Sequence, residues 1–452
     1  MGIIACVLCL IYFLLSLFFK KNRNTISPIT IFFALWTFIL FLSTLNLYNI
    51  YKPSDEAYIL IMLMLTFFYL GNLLSMTIKK KYKIVFKKQI DDSNVIIEPK
   101  FKLFYILCFA IILFNIIDII IIIKEAMAGI PMWKIRNWSL EPYGSSNPIL
   151  DRRSFIEDAF RSIILAPFIT IVYPIVAYYF FNSKSNKQKY KLLIISIILL
   201  ISSSLAGGGG RLGFVYFFGC FLLAFIVMYK NKKIPQNIIK KYSKMLSLFL
   251  VLGIFTIFIF TNSRTGKGNF IKQAYTYFSL PPTLLSVWLP ELKKAEYTYG
   301  MTTFFGLHSY VFRIFDTVGL DFLVPQIYNN AYTNILNAEI FKNVGYGVAN
   351  AFVTPIYYFF VDGGYPFVCI ASSFFGYIVS NIYEKLEKNI NVKSFTIYAL
   401  IMYGVFLTFI RVQTAVPTYI ISFILVEFIL KPSKKVKIEK DKAGDLDYER
   451  EC

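Results

Sequence analysis

The stretch Ser202 to Phe218, SSSLAGGGGRLGFVYFF, sets four consecutive glycines and an arginine between two strongly apolar segments. An arginine at bilayer depth costs about 2.5 to 3.5 kcal/mol on insertion scales, so Arg211 stands at an interface or holds an anion. Glycines permit positive φ and close backbone approach, and a helix beginning after Arg211 would add unpaired N–H groups and a partial positive charge. Gly209, Gly210 and Arg211 are therefore candidates for binding a phosphate group. The alternative is a glycine hinge with a snorkelling arginine. The segment Phe260 to Phe270, FTNSRTGKGNF, repeats the arrangement with Arg264 and Lys267 among Ser, Thr and Gly. There the alternative is a solvated boundary loop.

Proton transfer has two candidates. His308, the only histidine, lies in FFGLHSYVFRIFD near Arg313 and Asp316, either packed among aromatics or acting as a base. Asp362, in PIYYFFVDGGYPF, reads as a helix cap or as a carboxylate aimed into a cavity. No G-K-[ST] follows the glycine run, so it is not a nucleotide P-loop. The triplet Asp445 to Asp447 sits in a charged tail without a surrounding fold, which excludes a metal-binding glycosyltransferase site. Five of the six cysteines fall inside apolar runs, so neither a disulfide framework nor a zinc site is expected. No metal or cofactor is implied.

The elements that must position these residues are membrane spans. Of the 452 residues 57% are hydrophobic and 16% charged, and the mean hydropathy is +0.60. Runs such as Leu103 to Ile123 reach the roughly 20 residues that cross a bilayer. The pattern predicts an all-α polytopic membrane domain over 1–430 with eleven spans: 2–19, 28–48, 57–78, 103–123, 163–181, 192–206, 213–229, 246–261, 364–383, 394–410 and 414–430. Alternate loops are lysine-rich, which explains the net charge of +21 without nucleic acid. It places the N-terminus outside and the C-terminus in the cytoplasm. External loops are expected at 124–162 and 262–363, the second built of short amphipathic helices on the membrane surface. The charged tail 431–452 is expected to be disordered.

Under this topology most lysines are cytoplasmic, whereas eight of the ten arginines, at 136, 152, 153, 161, 211, 264, 313 and 411, are external. Arginine's planar fork of donors matches phosphate oxygens bidentately, so an external anionic ligand would explain the bias. A genome that writes lysine wherever it can is the alternative.

The glycine-arginine turn AGGGGR, the NSRTG boundary, the large late external loop and the following NAFVTPIYYFFVDGGYPFVCIASSFFGYI together resemble the oligosaccharide repeat-unit polymerases, the Wzy type that builds O-antigen and capsule. That family typically carries Asp-Phe-Gly where this chain has Asp362-Gly363-Gly364. The resemblance implies sugar transfer at the outer face of a bacterial plasma membrane. A growing chain moves from polyprenyl diphosphate to the non-reducing end of a new lipid-linked repeat unit. Arg211 and Arg264, with Arg313 or Arg411, would stabilise the leaving diphosphate, and His308, then Asp362, would act as base. Partners would be the lipid-linked oligosaccharide, membrane lipid, a flippase and a chain-length regulator. The rivals are an O-antigen ligase-like transferase and a flippase or other transporter.

Overall fold

The computed structural model describes residues 1–18, 27–82, 97–131, 134–135, 153–183, 185–207, 210–231 and 270–432, with 239–240, 242–244, 247 and 251. The described chain is mostly helical, as its apolar runs require. Its helices are α1 (Gly2–Phe18), α2 (Pro28–Thr44), α3 (Asp55–Tyr82), α4 (Phe101–Met127), α5 (Ile156–Asn182), α6 (Asn186–Ala206) and α7 (Leu212–Lys230). There follow α8 (Phe270–Leu292), α9 (Phe305–Thr317), α10 (Gln326–Asn337), α11 (Thr354–Lys388), α12 (Val392–Phe406) and α13 (Pro417–Ile429). Seven of them, α3 to α7 with α11 and with α12 counted on through its final turn to Phe409, are long and apolar enough to cross a membrane. Helices α1, α2 and α13 are apolar but shorter, at 17, 17 and 13 residues. Most of the expected span 246–261 and most of the tail 431–452 lie outside the described residues.

Two apolar cores hold the bundle. One gathers buried side chains of α1, α2, α3, α8 and the first half of α11, such as Phe32, Phe33, Trp36, Phe68 and Trp288. The other joins α4 to α7 with α12 and α13, through Phe104, Phe168, Phe217, Phe221 and Phe395. Helices α3 and α11 make a close crossing. A Cβ on Gly71 would fall inside contact distance of the Ser373 carbonyl, and one on Gly376 would meet the Phe68 carbonyl. Small residues let two backbones approach this closely in apolar surroundings. A short antiparallel ladder, β1 (Ile97–Pro99) with β2 (Leu430–Pro432), ties the start of α4 to the end of α13. This is the lysine-rich end. Arg211, the start of α3 and the kink of α11 lie toward the opposite end.

Two expectations change. The late loop is not only short helices, for α8 runs 23 residues through Pro281, Pro282 and Pro290. It buries Leu280, Leu284, Leu285, Trp288 and Leu289 in the first core. Tyr275 Oη donates to the Leu42 carbonyl at 2.9 Å and Thr283 Oγ1 to the Tyr51 carbonyl at 2.9 Å, so α8 packs along the end of α2 and the approach to α3. Helix α11 also begins ten residues before the expected 364, with Pro355 in its first turn, and breaks at Gly363 and Gly364. Gly364 has φ 63° and ψ −150°, a conformation that suits glycine.

Candidate functional site

Arg211 caps the start of α7, where the helix directs its positive end. The turn before it is stapled by Ser204, whose hydroxyl donates to the Gly210 carbonyl at 2.8 Å while the Gly210 N–H donates back to the Ser204 carbonyl at 3.2 Å. Gly210 itself needs neither positive φ nor close approach, since a Cβ there would meet nothing within 4 Å. Gly209 and Arg264 lie outside the described residues. The guanidinium of Arg211 donates from Nη2 to Tyr277 Oη at 2.8 Å and stands 5.6 Å from the centre of that ring. Tyr277 in turn packs on Phe352 at 5.3 Å.

These groups line a cleft of about 440 Å³ with Lys272, Gln273, Tyr346 and Asn350. Lys272 Nζ lies 5.8 Å from the Tyr48 ring centre and 5.6 Å from that of Tyr346. Burial pushes the Tyr346 phenol above its ordinary range, so it stays neutral. Among the cleft's described lining residues there are two cations and no carboxylate. Such a lining favours an anion. Directly beyond Arg211, an apolar crevice of about 220 Å³ runs along α7 past Leu212, Val215 and Gly219, with Met402, Tyr403 and Phe406 of α12 opposite. A Cβ on Gly219 would meet nothing within 4 Å.

His308 and Asp362 come together at a second place, the turn before α9. Asp362 is fully buried, 0% exposed. Its Oδ1 accepts the Thr302 N–H at 3.0 Å and the Thr298 hydroxyl, and its Oδ2 accepts the Thr303 N–H at 2.7 Å. The kink of α11 leaves the Val361 and Asp362 carbonyls free for the N–H groups of Thr298 and Tyr299, both at 3.0 Å. Asp362 thus holds the Thr298–Thr303 turn ahead of α9 from inside α11, and it caps neither helix, since the N-caps are Phe304 and Val353. His308 Nε2 bonds the Met301 carbonyl at 3.0 Å. A carbonyl only accepts, so Nε2 carries the proton and Nδ1 holds the lone pair. Nδ1 is buried without a partner, among Phe305, Phe312 and Tyr328. Burial pushes the imidazole below its ordinary value, while the Met301 carbonyl and the charge on Asp362 oppose that shift. His308 does not line the Arg211 cleft.

The other arginines divide. Arg313 is exposed on α9 and does not line the cleft. Arg411 pairs with Glu339 at 2.6 Å. The Glu339 carbonyl accepts from Asn350 Nδ2 at 2.8 Å, so this pair stands beside the cleft. Arg153 and Arg161 reach Asp118, 4% exposed on α4, at 2.9 and 2.6 Å, and Arg161 also pairs with Glu157 at 2.6 Å. Arg161 begins a π-turn, Arg161–Leu165, inside α5 and stacks on Phe114 at 4.6 Å. Internal carboxylates therefore account for three of the expected external arginines.

Sequence reasoning missed Lys272, Tyr277, Tyr346 and Asn350 as neighbours of Arg211, and Asp118 as an arginine anchor. One signal was present. Lys272 and Thr276 in KQAYTYF stand one helical turn apart, which puts them on one face of a helix. Comparison of the chain with protein-family models, curated proteins and solved structures finds no match.

Proposed function

We propose that this chain is a glycosyltransferase of the bacterial plasma membrane that polymerises polyprenyl-diphosphate-linked oligosaccharide repeat units at the outer face. The observation that carries the reading is the junction at the first turn of α7. There a cleft with Arg211 and Lys272 opens beside an apolar crevice that starts at Leu212. A diphosphate joined to a long hydrocarbon needs that sequence of surroundings. Fixed cations and a helix N-terminus meet the anion, and an apolar wall meets the chain.

In the reaction the bond between the anomeric carbon and the diphosphate oxygen breaks, and its electron pair stays on that oxygen. An acceptor hydroxyl oxygen bonds the anomeric carbon, and its proton passes to a base or to water. The leaving diphosphate gains one negative charge. Arg211 and Lys272 are placed to stabilise it, more strongly as the charge develops than in the bound donor. His308, through Nδ1, is the proposed base. Arg411, held by Glu339 beside the cleft, supports the same rim.

The test is purified protein in lipid nanodiscs with a chemically defined lipid-diphosphate-linked repeat unit. A ladder of products is expected. A single transfer to a different lipid would favour a ligase. Movement of the lipid between leaflets without transfer would favour a flippase and overturn the reading.

A further inference from the structure

A second apolar groove, of about 270 Å³, lies apart from the Arg211 crevice, between the second half of α11 and helices α12 and α13. It shares no lining residue with the crevice. Its lining on α11 includes Pro355 and Phe359 before the kink and runs from Ala371 to Ile382 beyond it, the latter stretch being roughly 16 Å at about 1.5 Å per residue. That is about half of the roughly 30 Å hydrocarbon core, the depth of one leaflet. Toward the α11 kink it ends at Thr303, Gln413 and Thr414, and no charged residue lines it. Thr303 is 2% exposed, and its hydroxyl has no hydrogen-bond partner. Gln413, 8% exposed, stands at the same end. A buried hydroxyl without a partner costs about 1 to 3 kcal/mol, so this end is built to meet a hydrogen-bonding group.

We propose that this groove seats the hydrocarbon chain of a second lipid-linked molecule, the sugar acceptor, while the crevice beneath Arg211 seats the chain of the donor. The assignment rests on the transferase reading. Its physical ground is the difference between the two polar ends. The donor's diphosphate leaves and gains charge, so its seat needs cations, and Arg211 and Lys272 supply them. The acceptor keeps its diphosphate unchanged through the reaction. Its seat needs no stabilisation of developing charge, and neutral donors such as Thr303 and Gln413 suffice. The walls come from membrane-crossing helices α11 and α12 and the apolar α13, so the surroundings supply hydrocarbon to fill the groove. Its one-leaflet depth suits a chain entering from the end that carries Asp362.

The experiment uses two lipid-linked repeat units with a diazirine in the polyprenyl chain. In one the terminal sugar hydroxyl is methylated, so it acts only as donor. In the other the anomeric oxygen is replaced by CH₂, so it acts only as acceptor. On the wild-type protein in nanodiscs, the acceptor probe is expected to label α11 between Ala371 and Ile382, or α13 at Ile420 to Phe423. The donor probe is expected to label α7 at Val215 to Leu223. Ile420→Trp should raise the acceptor KM about tenfold and leave the donor KM unchanged, with Gly219→Leu doing the reverse. Labelling of α7 alone by the acceptor probe would overturn the proposal. So would equal labelling of the groove by a diazirine phospholipid. If the wild type transfers no sugar, the transferase reading fails, while the acceptor probe still decides whether the groove takes a polyprenyl chain.

Discussion

Replacing Arg211 with lysine keeps the charge and removes the fork. Arg211 is oriented by the 2.8 Å bond from Nη2 to Tyr277 and by the ring beneath it, which fixes the direction of its planar N–H donors. Lysine offers a point charge on a flexible stem and cannot present two parallel donors to a diphosphate. Loss of one directed donor to a developing oxyanion lowers kcat about 10² to 10³ fold, equivalent to about 2.7 to 4 kcal/mol. The companion Tyr277→Phe removes only the orienting bond, about 0.5 to 1.5 kcal/mol, or roughly 2- to 13-fold. The assay is single-turnover transfer from a defined lipid-diphosphate donor, with donor binding measured separately and membrane insertion checked for each variant. Arg211→Lys should spare binding more than rate, and Tyr277→Phe should add little to it, since the group it orients is gone. A wild-type rate in Arg211→Lys, or full additivity of the two changes, would refute the reasoning. The turn would then be a hinge with a snorkelling side chain.

Three further outcomes are expected. Burial holds the His308 imidazole below its ordinary value, about 6.5, and a base acts only when unprotonated. Its kcat/KM should therefore be level above about pH 6.5 and fall as pH drops through the lowered folded value; the stability this histidine contributes is likewise present above the unfolded value and lost on acidification. An acid limb that persists unchanged in His308→Ala would remove it as the base. Gly71→Leu should lower the thermal midpoint by forcing α3 and α11 apart, at about 1 to 3 kcal/mol or more, whereas Gly219→Ala, with open space for its Cβ, should match the wild type. Asp118→Ala should destabilise by about 1.5 to 3 kcal/mol, because Arg153 and Arg161 lose their shared carboxylate and keep only Asp158 and Glu157; thermal unfolding in detergent measures it, and an unchanged midpoint would mean that the shared carboxylate adds nothing to stability.

What the sequence disclosed was the part written in local runs. Apolar stretches of about 20 residues marked α3 to α7, and the glycine-arginine turn fell between α6 and α7 as its composition required. Pairings across long separations left no such mark. Tyr277 meets Arg211 across 66 residues, and Trp36 donates to Thr408 across 372. Gly71 and Gly376 bring α3 and α11 together from opposite parts of the chain, and neither glycine differs in its neighbours from many that are merely tolerated. The arginine bias misled for a physical reason. A guanidinium fork fits a carboxylate as well as a phosphate, and only the fold reveals that Arg153, Arg161 and Arg411 have met carboxylates of their own chain.

The same geometry separates the two candidate bases. Asp362 offers no idle oxygen, since Oδ1 takes the Thr298 hydroxyl and the Thr302 N–H while Oδ2 takes the Thr303 N–H. His308 is in the opposite condition. Its Nε2 is fixed by the Met301 carbonyl, and its Nδ1 lone pair is bonded to nothing. The negative charge on Asp362 also raises the proton affinity of that ring against the effect of burial. In the proposed reaction Asp362 would act through His308, by fixing the Met301 to Thr303 turn and lending its field to the imidazole. On the proposed reading Asp362 is a positioning residue and His308 the group that would take the proton.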